Sequence, residues 1–250
     1  MQKLALTVAS VTALMLGSAP AQADFVGIYA SADYWNYDGA ASVAEANKTP
    51  EQFDLGSEKQ ASISVSVEHP VPLVPNVRVR HTSLKGADTL NSLAFAFDNQ
   101  LYVGDVNLAL DFTSTDLILY YEILDNVVSV DVGVAAKQFD GELLVQGNTP
   151  LPTTSTVKFT EIIPMAYASV GGSLPFTGFS FKAEAAGVSY DGSSVSDIQA
   201  EVKYDFIDNL AVDLGLKAGY RQLKVDLKDV ENTDANLDFK GPYVGLEIHF

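Results

Sequence analysis

The feature that most constrains this chain is an alternation of apolar and polar residues with period two, repeated along most of its length. Val128, Val130, Val132, Val134 and Ala136 alternate with Ser129, Asp131, Gly133, Ala135 and Lys137. Ile198, Ala200, Val202, Tyr204 and Phe206 alternate with Asp197, Gln199, Glu201, Lys203 and Asp205. Val212 to Tyr220 and Ala61 to Val67 repeat the pattern. Successive side chains of a strand point to opposite faces, so each run reads as a strand with one apolar face. Each is about 9–11 residues long, the length a tilted strand needs to cross the hydrocarbon of a bilayer. Weaker alternation at 25–35, 76–84, 115–123, 158–171, 178–190 and 239–250 brings the expected total to ten strands, with eight or twelve as alternatives. Helix signals are nearly absent; residues 40–52 could form a short helix within a loop.

The beginning of the chain predicts export. Lys3 precedes an apolar run, Leu4 to Gly17, that is too short to span a bilayer, and Ser18 to Ala23 supplies a small-x-small cleavage site. A cleavable signal peptide is expected over residues 1–23, with one mature barrel domain over 24–250 beginning at Asp24. The chain has no cysteine, which excludes disulfides, cysteine metal sites, cysteine nucleophiles and lipoprotein processing together. A net charge of −17 with no basic run argues against nucleic acid as a partner. No apolar run after residue 23 approaches the length of a membrane helix. In a bilayer the chain could then satisfy its backbone only as a closed antiparallel β-barrel.

A soluble sandwich or a lipocalin-like barrel also has one apolar face. Three features favour an up-and-down transmembrane barrel of the bacterial outer membrane. Alternate connections are short (69–76, 124–126, 172–178 and 207–209), while those between are read as long polar loops at 36–57, 85–105, 140–157 and 223–237, with only 191–194 tight. Short periplasmic turns and long outer loops are the outer-membrane arrangement. Tyr121, Phe179, Phe181, Tyr204 and Phe206 lie beside the short turns, and Tyr34, Trp35 and Tyr220 lie towards the long ones, as two interfacial girdles would. Finally, Val244, Leu246, Ile248 and Phe250 share one face of the last strand, which is expected to close the sheet against residues 25–35 and to present the assembly signal to the barrel assembly machinery.

Certain residues also carry a family resemblance. Pro72-Leu73-Val74-Pro75-Asn76-Val77-Arg78, Tyr120-Tyr121-Glu122-Ile123-Leu124-Asp125-Asn126 and Gly171-Gly172-Ser173-Leu174-Pro175 resemble a family of small gammaproteobacterial outer-membrane barrels characterised by that Gly-Gly pair. The resemblance covers residues 24–250 and implies architecture and location, with no catalytic residues to carry over.

Chemistry is sparse. Of three histidines, His69 opens a turn and His249 ends the last strand, both on the periplasmic side. His81 and Ser83 share the lipid-facing side of a strand at outer-leaflet depth, an arrangement similar to lipid A deacylases, in which His activates Ser against an acyl ester. Asp116 is the candidate carboxylate to orient that histidine. The expected lumen-facing charges are Glu68, Arg78, Arg80, Asp131, Lys137, Lys182, Glu184, Glu201, Lys203, Asp205, Asp213, Lys217, Arg221 and Glu247. They could line a narrow or gated channel for small solutes, or fill a small barrel as paired charges, and the filled reading is preferred because so narrow a barrel has little room for water. Asp226, Asp229, Glu231, Asp234 and Asp238 lack calcium-loop spacing and read as a solvated or lipopolysaccharide-bridging loop. No cofactor, metal or enzyme activity is expected. The sequence therefore points to a monomeric surface barrel in contact with outer-membrane lipid and lipopolysaccharide, acting through the loops at 36–57 and 85–105.

Overall fold

The computed structural model describes residues 26–45, 49–97, 100–149, 152–209, 212–230 and 233–250. The expected export signal, together with Asp24 and Phe25, lies outside the described residues. Ten strands follow one another: β1 (Gly27–Glu45), β2 (Glu51–Glu68), β3 (Asn76–Phe97), β4 (Gln100–Asp125), β5 (Val128–Thr149), β6 (Thr153–Leu174), β7 (Phe179–Tyr190), β8 (Ser193–Asp208), β9 (Asp213–Val230) and β10 (Thr233–His249). Each pairs antiparallel with its sequence neighbours, and β10 pairs with β1 to close the barrel. At the closure the register runs from Tyr29↔His249 to Trp35↔Tyr243. The Ile28 N–H donates to the Phe250 carbonyl at 3.2 Å, and the Phe250 N–H donates back to Ile28 at 3.0 Å. The last strand thus occupies the place expected of it.

The segments read as long loops are strands. Residues 36–45 and 51–57 extend β1 and β2, 85–97 and 100–105 extend β3 and β4, and 140–149 and 153–157 extend β5 and β6. The described part of the acidic stretch 223–237 likewise belongs to β9 and β10, and Asp226, Asp229, Asp234 and Asp238 are strand residues; Glu231 lies outside the described residues. Over the described part of 40–52, no helix forms. The reason is a reversal of phase. On the lower part of the strands most apolar residues face out and most polar ones face in; above one level most apolar residues face in and most polar ones face out. In β4, Leu117 is 44% exposed and Asp116 is 2% exposed, whereas higher on the same strand Leu108, Leu110 and Phe112 are buried within. In β5 the outward Val132 and Val134 give way to inward Phe139 and Val145. The polarity of these segments was therefore that of a solvated outer wall around an apolar interior.

The level of reversal passes near Asn36, His81, Gln138 and Lys240, and marks the upper edge of the lipid-facing belt. Below it Tyr34, Tyr121, Phe179, Phe181, Tyr204, Phe206 and Tyr220 point outward as two girdles require. Trp35 does not belong to them. One residue from Tyr34 on an alternating strand, it faces inward, is 1% exposed, and donates its Nε1–H to the Gly241 carbonyl at 3.1 Å.

The wall is continuous only around the belt. The β2–β3 ladder runs from Ser62↔Thr82 to Val67↔Val77, and the β6–β7 ladder from Ala166↔Gly187 to Leu174↔Phe179. The β3–β4 ladder, by contrast, continues up to Phe97↔Gln100, β5–β6 to Gly147↔Thr153 and β1–β2 to Val43↔Glu51. Above the belt the barrel therefore divides into two facing sheets, one of β3 to β6 and one built mainly on β9, β10, β1 and β2. Their inner faces pack as a sandwich does, with the rings of Phe112 and Phe239 at 5.7 Å across the divide. Gly141, opposite Phe112 on β5, leaves no room for a Cβ, which would meet the Phe112 Cβ and the Asp111 carbonyl. At the β2–β3 seam the Tyr37 hydroxyl replaces a missing strand partner. It accepts the Lys85 N–H at 2.8 Å and donates to the Lys85 carbonyl at 3.0 Å.

Candidate functional site

The interior has three storeys, each set by the inward residues of the strands at that height. The lowest is a polar cavity of about 240 Å³ bordered by Asp125, Asn126, Ser129, Gly171 and Gly172 at the end that carries the short turns. Into it face Tyr29, Ser31, Asp33, Ser64, Ser66 and Glu68 from β1 and β2, with Asp131, Lys182, Glu201, Lys203, Lys217 and Glu247 around the other side. Lys217 lies 3.1 Å from Asp33 and 3.5 Å from Glu201, and Lys203 lies 3.1 Å from Glu247 and 3.2 Å from Asp205. Tyr243 donates to Glu201 and Tyr120 to Glu68, both at 2.6 Å.

Above the cavity a compact knot of charge crosses the barrel. Arg80 reaches Asp116 at 3.0 Å, Glu184 at 2.7 Å and Asp197 at 3.4 Å. Lys137 is fully buried, and its ammonium lies between Asp116 at 2.5 Å and Asp197 at 2.9 Å. Arg221 donates twice to Asp197, at 2.9 and 2.7 Å, and once to Thr82 at 3.1 Å. Its guanidinium stacks 4.8 Å from the Trp35 ring. Arg78 joins the knot through Glu184 at 2.8 Å. Removed from water, such charges are held only by close mutual pairing and hydrogen bonding, and here each has both.

The third storey is apolar. Trp35, Tyr37, Phe53, Leu55, Leu84, Phe112, Leu223 and Phe239 fill the space between the two outer sheets, all 2% exposed or less. Among the described residues these side chains are packed ring against ring, with Tyr37 at 5.5 Å and Phe112 at 5.7 Å from Phe239.

The lumen-facing set read from the sequence all lies inside the wall, but not as one group. Arg78, Arg80, Lys137, Glu184 and Arg221 converge in the knot, while Glu68, Asp131, Lys182, Glu201, Lys203, Lys217 and Glu247 surround the cavity. Asp205 pairs with Lys203. Asp213 sits apart at the rim, 3.2 Å from His249 Nδ1, whose ring stacks on Tyr29 at 4.0 Å. Three partners were missed by sequence reasoning. Asp33 and Asp197 occupy the polar phase of their alternations and could have been found by parity. Asp116 is paired with Lys137 inside the barrel, on the opposite face of β4 from lipid, so it does not orient His81. The His81 Nδ1 instead bonds the Thr115 hydroxyl at 2.8 Å, on the outer surface. Among the described residues no group of acidic or histidine side chains is placed to hold a metal ion.

A closed, antiparallel ten-strand wall with an outward apolar belt and charge within defines the class: a barrel of the outer-membrane type. No family model matches the chain, and no curated protein matches it. Among solved structures it is similar to the outer membrane protease OmpT from Escherichia coli, with 9% identity over 90% of this chain and 96% of that one, at a TM-score of 0.50. It also aligns with the translocator domain of the autotransporter NalP from Neisseria meningitidis, at 11% identity over 90% and 88% of the two chains and a TM-score of 0.41. The likeness to the protease is one of fold.

Proposed function

We propose that this protein resides in the outer membrane as a non-conducting barrel with a structural or surface-interaction role, holding a rigid two-sheet body above the membrane. One observation carries the reading. The lumen is occupied at two successive levels, first by the Lys137-centred knot and then by the apolar storey headed by Trp35, Tyr37, Phe112 and Phe239. The interacting surface is the solvated exterior of the outer sheets rather than a set of loops. Membership of the Gly-Gly barrels, export by residues 1–23 and recognition of Val244, Leu246, Ile248 and Phe250 by the assembly machinery belong to the same proposal. The test is an epitope inserted between Asp191 and Gly192, the tight turn at the top of β7–β8. It should be bound by antibody on intact cells, and the protein should fractionate with the outer membrane and migrate faster on a gel before boiling. Recovery in the soluble periplasmic fraction without a mobility shift would overturn the proposal.

A further inference from the structure

The two hairpins whose ladders stop short above the belt share a second peculiarity at their lower ends. Val71-Pro72-Leu73-Val74 closes with the Val74 N–H on the Val71 carbonyl at 3.4 Å, and Leu174-Pro175-Phe176-Thr177 closes with the Thr177 N–H on the Leu174 carbonyl at 3.2 Å. Both are turns with proline second and a left-handed third residue, a position that glycine or asparagine ordinarily fills. Here it is held by Leu73 at φ 66° and Phe176 at φ 65°. Bulky residues in that region are uncommon and persist where something outside the turn favours them. Neither side chain gains burial within the protein, since Leu73 is 92% and Phe176 108% exposed. Nor is the first turn loose. His69 accepts the Val71 N–H at Nδ1 and bonds the Pro75 carbonyl at 3.2 Å through Nε2.

We infer that Leu73 and Phe176 are membrane pegs, apolar tips set into the periplasmic leaflet of the bilayer that fix the depth at which the barrel sits; this rests on the placement in a membrane proposed above. Both tips continue the lipid-facing belt. Tyr121, an outward residue of β4 within the belt, donates its hydroxyl to the Leu73 carbonyl at 2.9 Å, so this turn leans over the outside of the wall and away from the mouth of the cavity. Phe176 stands between outward Leu174 and outward Phe179, whose ring packs on Tyr204 at 4.8 Å. Around the barrel the two turns are four strand positions apart in one direction and six in the other, which puts them on nearly opposite sides. A bilayer surrounds the barrel and so meets outward tips on both sides. Exposed apolar side chains gain by leaving water, and the gain supports a backbone that the turn alone disfavours.

Because the chain has no cysteine, a nitroxide can be placed at one position at a time. Leu73→Cys and Phe176→Cys, with Leu246→Cys as the belt reference and Asp191→Cys as the water reference, are labelled and reconstituted in phosphatidylcholine vesicles. Collision with oxygen and with a neutral nickel chelate is then compared. Both tip labels should meet oxygen more than the nickel chelate, as at Leu246, and the reverse ratio is expected at Asp191. Tip labels that match Asp191 while Leu246 reports lipid would overturn the pegs alone and point to a periplasmic protein or to water. A Leu246 label that itself reports water would overturn the membrane placement and the pegs together.

Discussion

Lys137 has no contact with water and two carboxylates within 3 Å, so its charge and theirs stand or fall together. Lys137→Met should destabilise the folded barrel by about 3–5 kcal/mol, because it leaves Asp116 and Asp197 with less compensation in a dry interior. Denaturant-induced unfolding of the reconstituted protein measures this, and an unchanged midpoint would show that the knot is hydrated. Tyr37→Phe removes the hydroxyl that serves both backbone groups of Lys85, and should cost about 1–3 kcal/mol. Burial pushes the Tyr37 phenol from 10.0 up to about 12. The value raised by burial means that the folded state keeps its full advantage below pH 10. It loses stability relative to the unfolded chain as pH rises through about 12, where the buried hydroxyl must ionise and can no longer donate to the Lys85 carbonyl. The wild type should therefore lose stability over that alkaline range by more than Tyr37→Phe does, in parallel unfolding titrations. At this scale parity was the legible signal, and it placed the expected lumen charges on the inner face. It also holds for Asp33 and Asp197. Parity also rules out Asp116 as a partner for His81, since Asp116 faces inward and His81 outward.

The β1–β10 closure reaches as far as Phe250. Phe250 contributes both a reciprocal pair of backbone bonds with Ile28 and an outward aromatic at the lower edge of the belt. Deleting it should reduce the fraction of protein that runs as the fast, unboiled form on a gel, with the residual folded fraction unchanged in secondary structure. An undiminished fast band would mean that pairing higher on β1 and β10 suffices for closure. The number and order of strands were readable from period-two runs, and so was the closing partner of the first strand. Strand length was not, because apolar residues on one face at membrane length mark only the lower part of the strands. Leu108, Leu110 and Phe112 keep the same period as Leu117 and Leu119, but on the opposite face. Polar residues such as Asn107 and Asp111 between them then read as loop. A reversal in the sense of an alternation is the signature that would have identified the outer sheets, and it also locates the membrane boundary.

Taken as one object, the molecule is a barrel below and a sandwich above, joined where the charged knot meets Trp35. The belt makes the lower part compatible with lipid, and the phase reversal makes the upper part a body with its own apolar core. A wall that parts at the β2–β3 and β6–β7 seams could not hold water out by hydrogen bonding alone; in the proposed account the packed rings between the sheets do so. On the proposed reading, the cavity of about 240 Å³ below the knot is a blind vestibule. None of this was legible in composition, since charge inside a barrel serves equally to line a channel and to seal one, and only the distances between the charges separate the two. Single-channel recording in planar bilayers tests the sealed lumen most directly. The purified, folded protein should produce no discrete conductance steps across the voltage range in which a control porin conducts. Reproducible unitary steps from the wild-type protein would contradict the account.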